Sequence, residues 1–279
     1  MTGAPEAVGT PIALTIAGSD SSGGAGIQAD LKTFSAFGVY GASVLTALTA
    51  QNTRGVTAVE PVAASFVVAQ MEAVLSDLEV GAIKTGMLAN AGIVKAVTDR
   101  LREAPRRPLV VDPVMVATSG DVLLEHDAID ALKRELFPIA DVITPNLPEA
   151  ARLLETSEAA SEADAIAQAK ALLALGCGAV LLKGGHGRGA EAVDIFCDAA
   201  GVERFVRPRV DTRHTHGTGC TLSAAIAALL ARGVGLREAV GRAKAFVWQA
   251  LQEGRTLGVG RGNGPVDHLF AIRKAAPPA

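Results

Sequence analysis

Ile12-Ala13-Leu14-Thr15-Ile16-Ala17, followed at once by Gly18-Ser19-Asp20-Ser21-Ser22-Gly23-Gly24-Ala25-Gly26-Ile27-Gln28-Ala29-Asp30, is the stretch from which the fold is read. The first six residues are apolar or β-branched and make a short buried strand. The small residues after them make a turn, and Ile27, Leu31 and Phe34 then recur at helical spacing. Strand, glycine-rich turn and helix in that order open an α/β unit. The alternation continues down the chain. Ser43–Thr49, Ala82–Thr85, Leu109–Asp112, Val142–Thr144 and Ala179–Lys183 read as further strands. Phe66, Gln70, Met71, Val74 and Leu75 mark a helix; Asp127–Leu136, Leu147–Leu154 and Glu162–Leu175 read as others. Glu191–Cys197 and Glu203–Arg209 flank the turn signal Asp198–Gly201, which predicts a β-hairpin. Ala-rich helices from about Gly219 and from Leu236 close the chain.

Such alternation predicts an α/β fold, with a mostly parallel central sheet and helices on both faces. No Pro/Ser-rich linker and no repeat interrupts it. Residues 1–10 read as a loose N-terminal tail, and 11–279 as a single domain.

Composition narrows the function classes. A formal charge of −3 gives no basis for a nucleic-acid or anionic-membrane partner, and 4% aromatics give no stacking platform for single strands. The 49% hydrophobic content supports one sizeable core. Cys177, Cys197 and Cys220 are odd in number and lack paired short spacing, which predicts a reducing compartment without disulfide or zinc site. No basic segment followed by an apolar one opens the chain, and no apolar run is long enough to span a bilayer. A cytoplasmic location is the expectation.

In open α/β sheets ligands bind beyond the carboxyl ends of the strands. The segments at those ends are polar or glycine-rich: Gly18-Ser19-Asp20, Gln51-Asn52, Gly86-Met87, Asp112-Pro113-Val114-Met115, Asn146 and Lys183-Gly184. Two glycine-rich segments compete as phosphate cradles. Gly24, Gly26 and Ala29 fit the loose dinucleotide fingerprint, but Ala47-Leu48-Thr49-Ala50-Gln51 offers no acidic residue to hold a ribose. Thr215-His216-Gly217-Thr218-Gly219-Cys220-Thr221-Leu222-Ser223 runs straight into a helix, where free N–H groups and the helix dipole suit an anion. The same glycines also suit a plain tight turn before a packed helix. No Gly-x-x-x-x-Gly-Lys-Ser/Thr stretch occurs, which excludes a P-loop.

Ala17–Asp30 closely resembles the opening of hydroxymethylpyrimidine/phosphomethylpyrimidine kinases, of the ribokinase-like superfamily. The resemblance continues through Ala50–Gly55, Lys84-Thr85-Gly86-Met87-Leu88, Asp112–Met115, Thr144–Ala150, Leu182–His186 and His216–Ser223, in family order. It implies a three-layer αβα sandwich, ATP with Mg²⁺, and a homodimer. It also implies phosphorylation of 4-amino-5-hydroxymethyl-2-methylpyrimidine and then of its monophosphate, for thiamine biosynthesis.

Carried over residue by residue, Asp30 and Gln51 resemble the pair that hydrogen-bonds the aminopyrimidine, and Gly18, Met87 and Val114 the pocket walls. Gly217, Thr218, Gly219 and Cys220 resemble the anion hole. Asp112, Asn146 and Glu149 resemble the network around Mg²⁺ and phosphates, Asp112 and Glu149 holding the metal directly or through water. Lys183 and Thr218 resemble contacts to the ATP phosphates.

Wider-superfamily sugar kinases commonly place an Asp base at the Cys220 slot. A helix N-terminus lowers a thiol pKa, so Cys220 is expected to take the alcohol proton in the first step. Each residue also has a plainer role open to it: Asp30 as a solvated helix-face charge, Gln51 as a turn cap, Met87 and Val114 as core, Glu149 as a first-turn acid. His214 stands where many relatives have Asn, and Ala117–Asp121 reads as a lid. Two rival functions remain: a pyridoxal/pyridoxine kinase of the same fold, and a non-catalytic ligand sensor on this scaffold.

Overall fold

The computed structural model describes residues 9–115, 126–185 and 189–275; most of the expected tail, the expected lid Ala117–Asp121 and His186 lie outside them. The chain runs β1 (Ile12–Ala17), α1 (Gly26–Ala36), β2 (Tyr40–Leu45), β3 (Ala47–Asn52), β4 (Gly55–Pro61), α2 (Ala64–Leu75), β5 (Ala82–Thr85), α3 (Ala91–Glu103) and β6 (Leu109–Val111). Then come α4 (His126–Ala131), β7 (Val142–Ile143), α5 (Leu147–Leu154), α6 (Glu162–Leu173), β8 (Ala179–Leu182), β9 (Glu191–Asp198) and β10 (Gly201–Pro208). Three helices finish it: α7 (Thr218–Ala231), α8 (Leu236–Gly254) and α9 (Phe270–Ala275).

Eight strands form one sheet in the order β10-β9-β8-β7-β6-β5-β1-β2. Those from β2 to β8 are parallel, and the β9–β10 hairpin adds an antiparallel edge. Strand side chains alternate between faces, so neighbours in sequence enter different cores. Leu14 and Ile16, Val111, Ile143, Val180 and Leu182 pack on one side with Val94 and Val97 of α3 and Leu172 of α6. Ala13, Val110, Val142, Ala179 and Leu181 pack on the other with α7 and α8. The result is the αβα sandwich that the resemblance implies. Helix α7 is apolar nearly all round and buried from Thr221 to Leu229, as a helix between a sheet and other helices must be. No helix among the described residues is long and apolar enough to cross a membrane.

The expected strand Ser43–Thr49 is two strands. Thr46 N–H bonds Ala17 O and Thr46 Oγ1 bonds the Met87 carbonyl, and beyond that anchor the chain leaves the sheet. It pairs instead with β4 as a separate antiparallel ribbon. Asp127–Leu136 is likewise a short α-helix continued by a π turn. Helix α3 had no counterpart in the sequence reading. The hairpin, β1, β5 and α5 lie where the periodicity puts them.

Candidate active site

The carboxyl ends of the parallel strands open into a cavity of about 1430 Å³. Strand order assigns its parts. Gly18 after β1, Gln51 on β3, Met87 after β5 and Val114 after β6 line one end; Asp112 after β6, Asn146 and Glu149 after β7, and Lys183 after β8 line the middle. Gly217, Thr218, Gly219 and Cys220, at the start of α7, line it too. Arg209, Val210, Val247, Trp248 and Leu251, from the β10 side and α8, form the far end.

Gly18 is small for a reason. A Cβ there would come within 2.5 Å of Met87 Cε, so the methionine lies against the glycine as a wall. The Gln51 backbone exchanges bonds with Ser21 Oγ, at 2.9 and 2.7 Å, and Gln51 Oε1 accepts from Thr49 at 3.2 Å. Ribbon β3–β4 is thereby tied to the turn after β1.

Asp30 departs from expectation. It is fully buried, does not line the cavity, and accepts from Thr15 Oγ1 at 2.6 Å and Lys84 Nζ at 2.8 and 3.0 Å. Its carboxylate is occupied inside the protein, so no direct hydrogen bond to a ligand ring is available to it. The reading of Asp30 as a solvated surface charge fails equally. Lys84, which does line the cavity, was missed. Burial disfavours its ammonium, but Asp30, with Cys220 and Asp112, outweighs that and holds its pKa above the ordinary range. The signal was present: a charged residue inside the apolar strand Ala82–Thr85 needs a buried partner.

The middle of the cavity carries a charge cluster. Lys183 Nζ donates to Asp112 Oδ1 at 2.8 Å and lies 3.8 Å from Glu149 Oε2. Thr144 Oγ1 and Ser223 Oγ complete the Asp112 shell at 3.0 and 3.3 Å. Burial works against the Asp112 anion, but Lys183 and Lys84 more than offset it and its pKa is lowered. Glu149 closes a capping box with Asn146, its Oε2 accepting from the Asn146 N–H at 2.7 Å. Burial, opposed by Lys183 and reinforced by Asp112, pushes the Glu149 carboxyl up to about 7. Glu149 is thus a first-turn acid that also lines the cavity.

At the start of α7, Gly217 takes φ +79, and a Cβ on it would lie 1.8 Å from the Gly24 carbonyl oxygen. The Gly219 and Cys220 amides make no backbone hydrogen bond within the described structure, as expected of a helix's first turn. A Cβ on Gly219 would lie 3.2 Å from Lys183 Nζ, so the ammonium stands beside these amides. Free N–H groups next to a lysine suit a phosphoryl group. The expected low Cys220 pKa is not found. Burial pushes the thiol up to about 11; Lys84 opposes this, while Asp30 and Asp112 add to it. Desolvation and two nearby carboxylates outweigh the helix terminus.

The donor set also bears on Mg²⁺. No three His, Cys, Asp or Glu side chains gather into a metal cage among the described residues. Asp112 and Glu149, both partly engaged within the protein, fit an ion held mainly by water and phosphate oxygens.

The sequence pattern described as phosphomethylpyrimidine kinase matches residues 20–267. The hydroxymethylpyrimidine/phosphomethylpyrimidine kinase of Rhizobium meliloti (strain 1021) is 59% identical over 260 residues, 93% of this chain and 97% of the relative. The chain belongs to the phosphomethylpyrimidine kinase family. Among solved structures, the phosphomethylpyrimidine kinase of Clostridium difficile 630 matches at TM-score 0.75 and 44% identity, over 86% of this chain and 99% of that one. An ADP complex of Bacillus subtilis pyridoxal kinase matches at TM-score 0.87 and 39% identity, over 95% and 99%. Family membership removes the nicotinamide reading of Gly24–Ala29. Those residues instead make the turn that packs against Gly18 and meets the start of α7.

Beyond Lys84, the sequence reading missed Asp20 and the far end of the cavity. Asp20 stood in plain view within Gly18-Ser19-Asp20. The far end has no motif: its residues come from β10, the segment after it and α8, elements that only the fold brings together.

Proposed function

We propose that this protein is an ATP-dependent kinase that phosphorylates 4-amino-5-hydroxymethyl-2-methylpyrimidine on its hydroxymethyl oxygen and then phosphorylates the product to the diphosphate. The observation that carries this is the shared cavity. It joins a small-ring end walled by Gly18, Met87, Val114 and Gln51 to an anion hole of free amides at Gly219 and Cys220 beside Lys183. A ligand sensor would have no use for the second half. The 59% identity to a kinase named for this substrate supports the same reading.

Phosphoryl transfer through a loose transition state needs in-line positioning and charge stabilisation more than covalent help. In this proposal Gln51 reads the edge of the pyrimidine. Met87 and Val114 hold its faces and exclude water. The free amides of Gly219 and Cys220 receive the charge that grows on the transferred group, with Thr218 and Lys183 on the nucleotide phosphates. Mg²⁺, held by Asp112 and Glu149 through water beside Asn146, would neutralise phosphate charge. Lys84 places a buried positive charge at the floor of the ring end. The far end, with Trp248, Val247 and Leu251, takes the adenine.

A thiol held near 11 is protonated at neutral pH, so Cys220 acts in this proposal as packing and not as a base. Cys220→Ala is therefore expected to slow both phosphorylations alike in single-turnover assays; selective loss of the first would restore the base. The protein is further proposed to be a single-domain, cytoplasmic homodimer.

A second reading, phosphorylation of pyridoxal, has support in the TM-score of 0.87 to a pyridoxal kinase. Mass spectrometry after incubation with MgATP and equal amounts of hydroxymethylpyrimidine and pyridoxal decides between them. A doubly phosphorylated pyrimidine is expected. Phosphorylated pyridoxal alone would overturn the pyrimidine assignment.

A further inference from the structure

We infer that His216 is a positioning residue which, through Asp20, clasps the substrate-side loop to the anion hole and so sets the distance across which phosphoryl transfer occurs. This deepens the proposed function and rests on the anion-hole reading of Gly217–Cys220.

The two loops are far apart in sequence and in contact in space. Asp20 is 1% exposed, and its carboxylate is met by five hydrogen-bonding groups. Oδ1 accepts from Ser22 N at 2.8 Å and Ser22 Oγ at 2.7 Å; Oδ2 accepts from Gly24 N at 2.9 Å and Ala25 N at 2.8 Å. The last partner of Oδ2 is His216 Nε2 at 2.8 Å, from the segment that leads into α7. Burial alone would raise this carboxyl, but the bonds from His216, Ser22 and Ala25 outweigh it and lower it to about 2. Asp20 is thus an anion at neutral pH, and His216 Nε2 must carry the proton between them.

The backbone shows how closely the loops are joined. A Cβ on Gly24 would lie 2.4 Å from His216 Cδ2, and one on Gly217 would lie 1.8 Å from Gly24 O. Neither loop can approach further, and the clasp keeps them from parting. Behind it, Thr221 Oγ1 gives its proton to Gly217 O at 2.8 Å and meets His268 Nε2 at 3.0 Å. His268 is 5% exposed, so this second histidine backs the turn from inside. His216 N–H bonds Gly264 O, which fixes the ring's own backbone. A further tie between the loops is the Gly26 N–H directed at the Cys220 sulfur.

Gly18, Ser19 and Gly26 line the cavity at the proposed ring end, and Gly217–Cys220 line it at the proposed anion hole. Productive transfer needs the attacking oxygen within roughly 3–3.5 Å of phosphorus. A bond that joins the two walls acts on that separation and on neither binding site alone.

The test measures ADP and phosphorylated hydroxymethylpyrimidine together for wild type, His216→Ala and His216→Gln. Glutamine places an amide nitrogen near the position of Nε2; alanine does not. For His216→Ala, transfer kcat is expected to fall by roughly ten- to a hundredfold, with both KM values within about threefold of wild type. ADP formed per product should rise above one as water replaces the misplaced alcohol. His216→Gln should restore most of the rate and the unit ratio. Parallel loss of ADP and product, a change confined to KM, or equal behaviour of the Ala and Gln variants would overturn the clasp. Should His216→Ala fail to fold, His216→Asn replaces it, because its amide reaches the Nδ1 position and stops short of Asp20. A wild-type protein that transfers no phosphoryl group would instead refute the anion-hole reading itself.

Discussion

Lys84 has no exposed surface, and among the described residues the Asp30 carboxylate is the one acidic group within bonding distance of its ammonium. Removing one member of a buried pair leaves the other charge unpaired, which costs about 3–5 kcal/mol. Lys84→Met is therefore expected to lose that much stability in urea unfolding, and adding Asp30→Asn should recover most of it; strictly additive losses would show that the pair is not coupled. Glu149 gives a prediction in pH. Its carboxyl holds a proton to about 7 in the fold against an ordinary 4.5, so the folded state binds more protons than the unfolded one in that window. Stability is then full below about pH 4.5, declines as pH rises to about 7, and stays level above. Glu149→Gln, always neutral and still able to accept from the Asn146 N–H, should gain on wild type by roughly 2–3 kcal/mol between pH 5 and pH 8 without nucleotide. A gap independent of pH would show that Glu149 titrates normally. Which partners decide these charges was not legible in the sequence. Asp30 and Glu149 were visible as acids beside the site, but the partners that decide their state, Lys84 and Lys183, lie 54 and 34 positions further on and meet them only in the fold.

The start of α7 separates two glycines that look alike in Gly217-Thr218-Gly219. Gly217 lies in the left-handed region at φ +79 with its Cβ position blocked by the Gly24 carbonyl, whereas a Cβ on Gly219 meets the tip of Lys183 at 3.2 Å and Asp112 Oδ2 at an ordinary 3.7 Å. Gly217→Ala must therefore strain the turn and push the two loops apart, with a stability loss of at least about 1–3 kcal/mol. Gly219→Ala stands in a helix, where alanine is favoured, and should leave thermal stability nearly unchanged. It should still lower kcat by roughly ten- to a hundredfold, because Lys183 is displaced from the proposed anion hole. Thermal melts and steady-state rates of the two variants separate these effects; equal stability losses would refute the contrast. The element itself was legible, since small residues before a long apolar run announce a helix N-terminus. The break at Thr46 was not. Ser43–Thr49 reads as one β-type run, and what ends the strand is Thr46 bonding Ala17 at the end of β1 and Met87 just after β5.

At the scale of the molecule, alternating strands and helices announced the layered sheet, because parallel strands buried on both faces must be apolar along their whole length. What the pattern could not convey is why ribbon β3–β4 stands apart from that sheet. Alternation along β3 sends Thr49 and Gln51 toward the cavity and leaves Leu48 and Ala50 outside; Leu48 is 51% exposed, and Phe66 nearby at the start of α2 is 62% exposed. A two-stranded ribbon is marginal in water unless a face is covered. A second copy of the chain, as the proposed homodimer requires, would cover that outer face. Its inner face would then be held steady with Gln51 at the ring end of the cavity. Leu48→Glu places a charge in that contact without touching the cavity side. In sedimentation equilibrium the wild type is expected at twice the 28.4 kDa chain mass and Leu48→Glu at the chain mass. The dissociated variant should show a raised KM for hydroxymethylpyrimidine and a nearly unchanged KM for ATP, since only the ring end depends on the ribbon. A wild type that sediments as a monomer would remove the dimer from the proposal, and a Leu48→Glu variant that stays dimeric would move the interface elsewhere on the molecule.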